Sequence, residues 1–168
     1  MIPAKLCGAL LLTAGGLLAG ICVRRELRAR TRMLYAAAGS LARMRREITQ
    51  RLTPLPDLIE AEKQCADAAV QSFFAAVSRR YAETACFSDA WACGVPSLRL
   101  PPETSRQFSA LGDILGCSDA ASQGEALSCA EERLLDTART AEADARIRGS
   151  LYLRLLPGLA ALLSVLLW

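Results

Sequence analysis

The apolar segments at the two ends of the chain constrain its architecture most. Leu6 to Val23 is a run of eighteen residues without a charged side chain. A helix needs roughly 20 apolar residues to cross a bilayer, with about 17 as the lower limit. A cleaved signal peptide is the alternative, but its apolar region is about 7–15 residues long and positive charge precedes it. Because Arg24 and Arg25 follow the run, the sequence favours a retained transmembrane helix.

The C-terminal segment, residues 151–168, is the second predicted span. Its single charged residue, Arg154, lies near one end, from which a guanidinium can reach the headgroups. Tyr152 and Trp168 have the spacing of aromatic residues at opposite membrane interfaces. A hairpin or an interfacial helix is the alternative, because Pro157 interrupts the helical hydrogen bonds.

Charge predicts the orientation of the chain. Residues 24–51 carry nine arginines and two glutamates, whereas residues 52–145 carry seven basic and fifteen acidic groups. The positive-inside rule places residues 24–150 in the cytosol and both termini outside. Next to a membrane, anionic lipid headgroups explain a basic segment more simply than nucleic acid does, and the chain has only 5% aromatic residues for base stacking. We therefore expect no nucleic-acid partner, and headgroup contact by Arg24, Arg25, Arg28, Arg30 and Arg32.

The part between the spans has helical periodicity. Leu27, Leu34, Leu41 and Ile48 recur every seven residues, and a second apolar face spans residues 70–81. No strand-like alternation is present. The sequence predicts an all-α fold: an antiparallel helical bundle in the cytosol, flanked by N- and C-terminal transmembrane helices. The predicted domains are residues 1–23, residues 24–150 and residues 151–168.

Turn chemistry predicts where several helices begin. Thr53 is expected to cap a helix with Pro54 in its first turn, and Ser88 to cap a short helix that holds Trp91. Ser118 or Asp119 is expected to cap a long last helix, over about residues 119–150.

The composition excludes several kinds of catalysis. The chain has no histidine, which removes Ser-His-Asp and Cys-His nucleophiles and most catalytic zinc sites. Phosphate-binding and dinucleotide-binding glycine patterns are absent. The seven cysteines include no CxxC pair, so packing explains them better than a four-cysteine metal site does. We expect no catalytic residue, no cofactor and no metal. The metal alternative would use Cys86, Cys93, Cys117 and Cys129.

Three short patterns go beyond generic helix signals. They are Glu47-Ile48 followed by Thr53-Pro54-Leu55-Pro56, the Ala90-Trp91 element, and Leu115-Gly116-Cys117-Ser118-Asp119 with Gln123 one turn later. Their order, between an Arg-rich start and a C-terminal span, resembles the stage III sporulation protein AB family of endospore-forming bacteria. The resemblance covers the whole chain.

The resemblance implies a role rather than a reaction. The family is similar to the cytoplasmic domains of the inner-membrane platform protein of type II secretion systems and type IV pili. It implies a non-enzymatic platform in the mother-cell membrane around the forespore. There the protein would couple a secretion-type ATPase of the same locus to the other membrane proteins of a channel complex. A general membrane scaffold or secretion accessory unrelated to sporulation is the alternative. The expected corner and interface residues are Glu47, Thr53, Pro54, Trp91, Gly116, Ser118, Asp119 and Gln123, and a left-handed backbone is expected at Gly116.

Overall fold

The computed structural model describes the backbone of residues 2–166 and the side chains of residues 14–16 and 18–147. Within that part the chain is helical and contains no strand, which confirms the all-α class. A π-helix at Glu47–Arg51 follows α1, and a 3₁₀ helix at Val95–Leu98 follows α4. The α-helices are α1 (Ile2–Arg46), α2 (Leu55–Glu62), α3 (Ala68–Thr84), α4 (Phe87–Gly94), α5 (Pro102–Cys117) and α6 (Ala120–Leu166).

The helices form two compact units. The terminal unit comprises Met1–Thr31 and Arg139–Trp168, and the central unit comprises Arg32–Ala138. Helices α1 and α6 each contribute residues to both units without a break. The boundaries of the units therefore lie within these two helices and not at loops.

The side chains of the two predicted membrane spans lie largely outside the described residues. Among the described residues, no helix is long and apolar enough to cross a membrane. The second predicted span, residues 151–168, lies outside the residues whose side chains are described. In the first predicted span, residues 6–23, only the side chains of residues 14–16 and 18–23 are described. Both spans remain predictions.

The heptad stripe expected from the sequence is buried in the central unit. Leu34 and Leu41 on α1 and Ile48 on the π-helix are at most 4% exposed, so this part of the stripe faces the core. On α6, Leu127 and Leu134 are buried in the same unit. The helical periodicity therefore identified the inward face of α1.

An aromatic cluster forms the centre of the core. The ring of Trp91 lies 4.8 Å from that of Phe73 and 5.4 Å from that of Phe108, measured between centroids. The indole Nε1–H donates to the carbonyl oxygen of Phe108 at 2.8 Å, which satisfies its buried polar group. A Cβ at Gly112 would lie 2.8 Å from the Cβ of Trp91. Gly112 therefore lets α5 approach the indole closely.

Candidate functional site

Glu47 holds the turn between α1 and α2. One carboxylate oxygen accepts a hydrogen bond from the hydroxyl of Thr53 at 3.1 Å, and the other pairs with the guanidinium of Arg51 at 3.0 Å. The backbone carbonyl of Glu47 accepts from the amides of Leu52 and Thr53. The Glu47 carboxylate therefore connects the last residue of the π-helix, Arg51, to Thr53 in the loop before α2.

Thr53 does not cap α2, so that prediction is wrong. The N-cap of α2 is Pro54, which has no side-chain hydrogen bond, and its carbonyl accepts from the amides of Asp57 and Leu58. Thr53 lies one residue before this N-cap, and its hydroxyl donates to the Glu47 carboxylate.

Asp119 and Gln123 define the corner between α5 and α6. One carboxylate oxygen of Asp119 accepts from the amides of Ala121 and Ser122 at 3.2 and 3.4 Å, which makes Asp119 the N-cap of α6. A hydrogen bond from the Ser122 side chain has the largest effect on the pKa of Asp119, and the backbone bonds add to it. Together they lower the pKa of Asp119 below its usual value. The amide of Gln123 donates to the carbonyl of Ser118 at 2.6 Å. These bonds therefore tie the first turn of α6 to the two corner residues before it, Ser118 and Asp119.

Gly116 lies within the last turn of α5 and not at a left-handed helix end. No described glycine has a positive φ, so the predicted left-handed backbone is wrong. The helix continues to Cys117, and Ser118 occupies the C-cap position in an extended conformation. A Cβ at Gly116 would lie 3.3 Å from the Cβ of Phe87. The glycine is thus explained by the close approach of α4.

The Ala90-Trp91 element belongs to the core. Trp91 is completely buried, so its contribution is to packing and not to a free surface. Ser88 does not cap α4, which has Cys86 at its N-cap position without a side-chain bond. Its hydroxyl donates instead to the carboxylate of Asp113 on α5. The predicted Ser88 cap is wrong because α4 begins at Phe87, which places Ser88 inside the helix and not before it.

A partly buried ion pair connects α1 to α2, and the sequence reasoning missed it. The guanidinium of Arg43 binds the Glu62 carboxylate through two bonds of 2.8 and 2.7 Å, and also donates to the hydroxyl of Ser40. The Glu62 side chain is 9% exposed, and its hydrogen bond raises the pKa of Arg43. The available signal was Glu62 itself, an acidic residue on the face of α2 that also carries Leu58 and Ile59.

The sequence patterns converge at one end of the central unit. A Cβ at Gly124 on α6 would lie 2.6 Å from the Cγ2 of Thr49, so the π-helix touches the first turns of α6. Phe87 lies against Gly116 on the adjoining helix. At 1.5 Å per residue, this end lies about 21 Å along α1 from Arg32, where α1 enters the unit. We call it the distal end, defined by residues 47–53, 86–88 and 113–124.

The five arginines between residues 24 and 32, in the middle of α1, are all exposed. In the described part of the chain, no salt bridge includes any of them. Their guanidinium groups are sterically accessible to an anion. Contact with lipid headgroups remains a prediction for Arg24, Arg25, Arg28, Arg30 and Arg32.

Grooves on the central unit offer binding surfaces but no metal centre. A groove of about 470 Å³ beside the distal end is lined by Glu47, Arg51 and Thr53, among others. An apolar groove of about 260 Å³ separates α5 from α6. Among the described residues, no group of three potential metal ligands exists.

Comparison with known protein families identifies a match over nearly the whole chain. The model of the stage III sporulation protein AB family matches residues 5–168. No curated protein and no solved structure matches the chain. The family points to a role in sporulation and is not a known enzyme family.

Proposed function

The chain belongs to the stage III sporulation protein AB family, and from that premise we propose that it is a non-enzymatic membrane platform. In this proposal the protein is part of a secretion-like channel complex between mother cell and forespore. It couples a cytosolic ATPase of the secretion type to the other membrane proteins of that complex. The family match over residues 5–168 is the observation that carries the proposal.

Membrane anchoring is supported by the sequence of both ends. The N-terminal run lacks charge from Leu6 to Val23, and the C-terminal segment carries Arg154 alone. Exposed arginines follow the first run directly, where a cytosolic leaflet supplies anionic headgroups. We place the protein in the mother-cell membrane that surrounds the forespore, with the central unit in the cytosol.

Coupling is supported by the continuity of the two long helices. Helix α1 has 45 residues and α6 has 47. Hydrogen bonds between successive turns resist local bending of a helix, except where a proline such as Pro157 lacks the amide hydrogen. In this proposal, a displacement at the distal end acts on the same continuous helices that contribute residues to the terminal unit. This is the mechanical property that a platform between an ATPase and a membrane complex needs.

A binding experiment with the full chain tests the proposal. We would purify the chain in detergent micelles and measure binding to the co-encoded ATPase with ADP, with a non-hydrolysable ATP analogue and without nucleotide. We expect binding whose affinity depends on the nucleotide. Absence of binding in all three states would contradict the coupling role. Deletion of the gene should also block sporulation while leaving vegetative growth unchanged, whereas a general scaffold predicts a growth defect.

A further inference from the structure

The groove between α5 and α6 is apolar over most of its length. Its volume of about 260 Å³ is close to the lower end of the range for small-molecule sites, about 300–1,000 Å³. Phe108 and Leu111 line it with buried side chains, and Ile114 in the same lining is 38% exposed. The side formed by α6 includes three small residues, which are Ala126, Cys129 and Ala130. The groove therefore presents apolar surface that the chain leaves uncovered.

The polar side chains of the groove lie toward one end of it. A two-residue corner joins α5 to α6, so the two helices are antiparallel neighbours. Thr104 lies thirteen residues before the end of α5 and Arg133 thirteen residues after the start of α6, so both are about 20 Å from the corner. Gln107 lies about one turn closer to the corner, and Ile114 and Ala126 lie closer still. The groove thus has a polar end away from the corner and an apolar end toward it.

The polar end carries positive charge. Among the described residues, Arg133 is the one charged residue in the lining of this groove, and no salt bridge given by their side chains includes it. Its side chain is exposed. Glu103, one residue before Thr104, does not line the groove; it pairs with Arg106 and accepts a hydrogen bond from Gln107. The lining therefore favours a ligand that combines an apolar body with an anionic group at one end.

We propose that this groove binds a single-chain anionic amphiphile, a carboxylate with an unbranched alkyl chain. The carboxylate binds the guanidinium of Arg133, which can donate two parallel hydrogen bonds to it. The alkyl chain lies against Phe108 and Leu111 and extends toward Ile114, about 15 Å along α5 from Thr104. The inference goes beyond the proposed function, because it rests on the lining of the groove and not on the family.

Cys129 gives a direct measure of occupancy, because its thiol is exposed and it lines the groove. Cys93 is exposed on α4 and does not line the groove, so it is an internal control. We would place the full chain in phosphatidylcholine nanodiscs and follow alkylation of each thiol by N-ethylmaleimide with peptide mass spectrometry. Free decanoate at ten times its dissociation constant should slow alkylation of Cys129 about tenfold and leave that of Cys93 unchanged. Each methylene removed from the ligand should raise the half-protecting concentration about fourfold.

Substitution of Arg133 tests the anionic end of the ligand. Arg133→Gln removes the charge and keeps a polar side chain at an exposed position. It should raise the half-protecting concentration of decanoate about tenfold and leave that of uncharged decanol unchanged. Arg79→Gln is the matched control, because Arg79 is an exposed arginine on α3 that does not line the groove. It should leave protection by decanoate unchanged.

Three results would overturn the proposal. Slowing of neither thiol, or equal slowing of Cys129 and Cys93, would show that decanoate does not occupy the groove. Equal protection by decanoate in the wild type and in Arg133→Gln would remove the assigned carboxylate contact. Protection of Cys129 that increases with protein concentration in the absence of decanoate would assign the groove to a second copy of this chain.

Discussion

Replacing Gly124 with alanine should destabilise the central unit, although alanine is the better helix former. The added Cβ would lie 2.6 Å from the Cγ2 of Thr49, well inside the contact distance of two carbon atoms. Thr49 cannot rotate away easily, because its hydroxyl donates to the carbonyl of Arg45 at 2.8 Å. The Cγ2 therefore stays in the path of the new methyl group.

Two opposing effects determine the magnitude. Overpacking of a close contact costs about 1–3 kcal/mol, and a glycine-to-alanine change inside a helix gains about 1 kcal/mol. We expect a net loss of about 1 kcal/mol in the free energy of unfolding for Gly124→Ala. In a Thr49→Ser background the clashing Cγ2 is absent while the hydroxyl remains. There the same substitution should stabilise the chain by about 1 kcal/mol.

The assay is thermal unfolding of the full chain in detergent micelles, followed by circular dichroism at 222 nm. A change of 1 kcal/mol corresponds to about 4 °C in the melting temperature of a unit this size. Gly39→Ala is the matched control, because its Cβ would meet only the Arg43 guanidinium at 3.6 Å. That variant should melt higher than the wild type. If Gly124→Ala raised the melting temperature as much as Gly39→Ala, the inferred close approach of the π-helix and α6 would be refuted.

Three further substitutions test other contacts. Because the pKa of Asp119 is lowered in the folded state, its contribution to stability is present above the unfolded pKa and is lost as pH falls through the folded pKa. Asp119→Asn should therefore melt below the wild type at pH 7 and approach it in an acid titration; a constant difference would contradict this. Glu62→Gln should cost about 1–2 kcal/mol by urea denaturation, since it weakens the charged bonds from the half-exposed Arg43; an unchanged midpoint would refute their contribution. Trp91→Phe should cost about 2–3 kcal/mol in the same assay, because it leaves a cavity and removes the donor to the carbonyl of Phe108; a loss below about 1 kcal/mol would contradict the tight packing.

Caps that are satisfied locally could be assigned from the sequence. The Asp119 carboxylate finds its donors two and three residues later, and short polar side chains before a helix have that preference intrinsically. Thr53 and Ser88 have the same local preference, but α2 and α4 begin at other residues, so neither side chain stands at an N-cap position. Where a helix begins also depends on tertiary packing, which a local pattern does not contain.

Contacts between helices also account for two features that the sequence did not predict. The Arg43–Glu62 pair joins residues nineteen positions apart, and no helical period relates them. The glycine at 116 was expected to provide backbone freedom, whereas in the structure it provides space for Phe87. A left-handed backbone and a close helix approach both favour glycine near a helix end, so the residue type alone does not distinguish them. Helical periodicity was sufficient for the inward faces because burial of a stripe depends on its repeat.

The enclosure of Trp91 gives the protein an internal optical reporter. The chain has two tryptophans, Trp91 and Trp168, so a Trp168→Phe variant would emit from the core indole alone. Its ring contacts the aromatic cluster, and its N–H is fixed to a carbonyl. Such an indole emits at short wavelength and gives a sharp near-ultraviolet circular dichroism signal, which is lost when side-chain packing loosens while the helices remain. If the proposed coupling to an ATPase is correct, fluorescence during ATPase turnover would show whether the core of the central unit stays rigid.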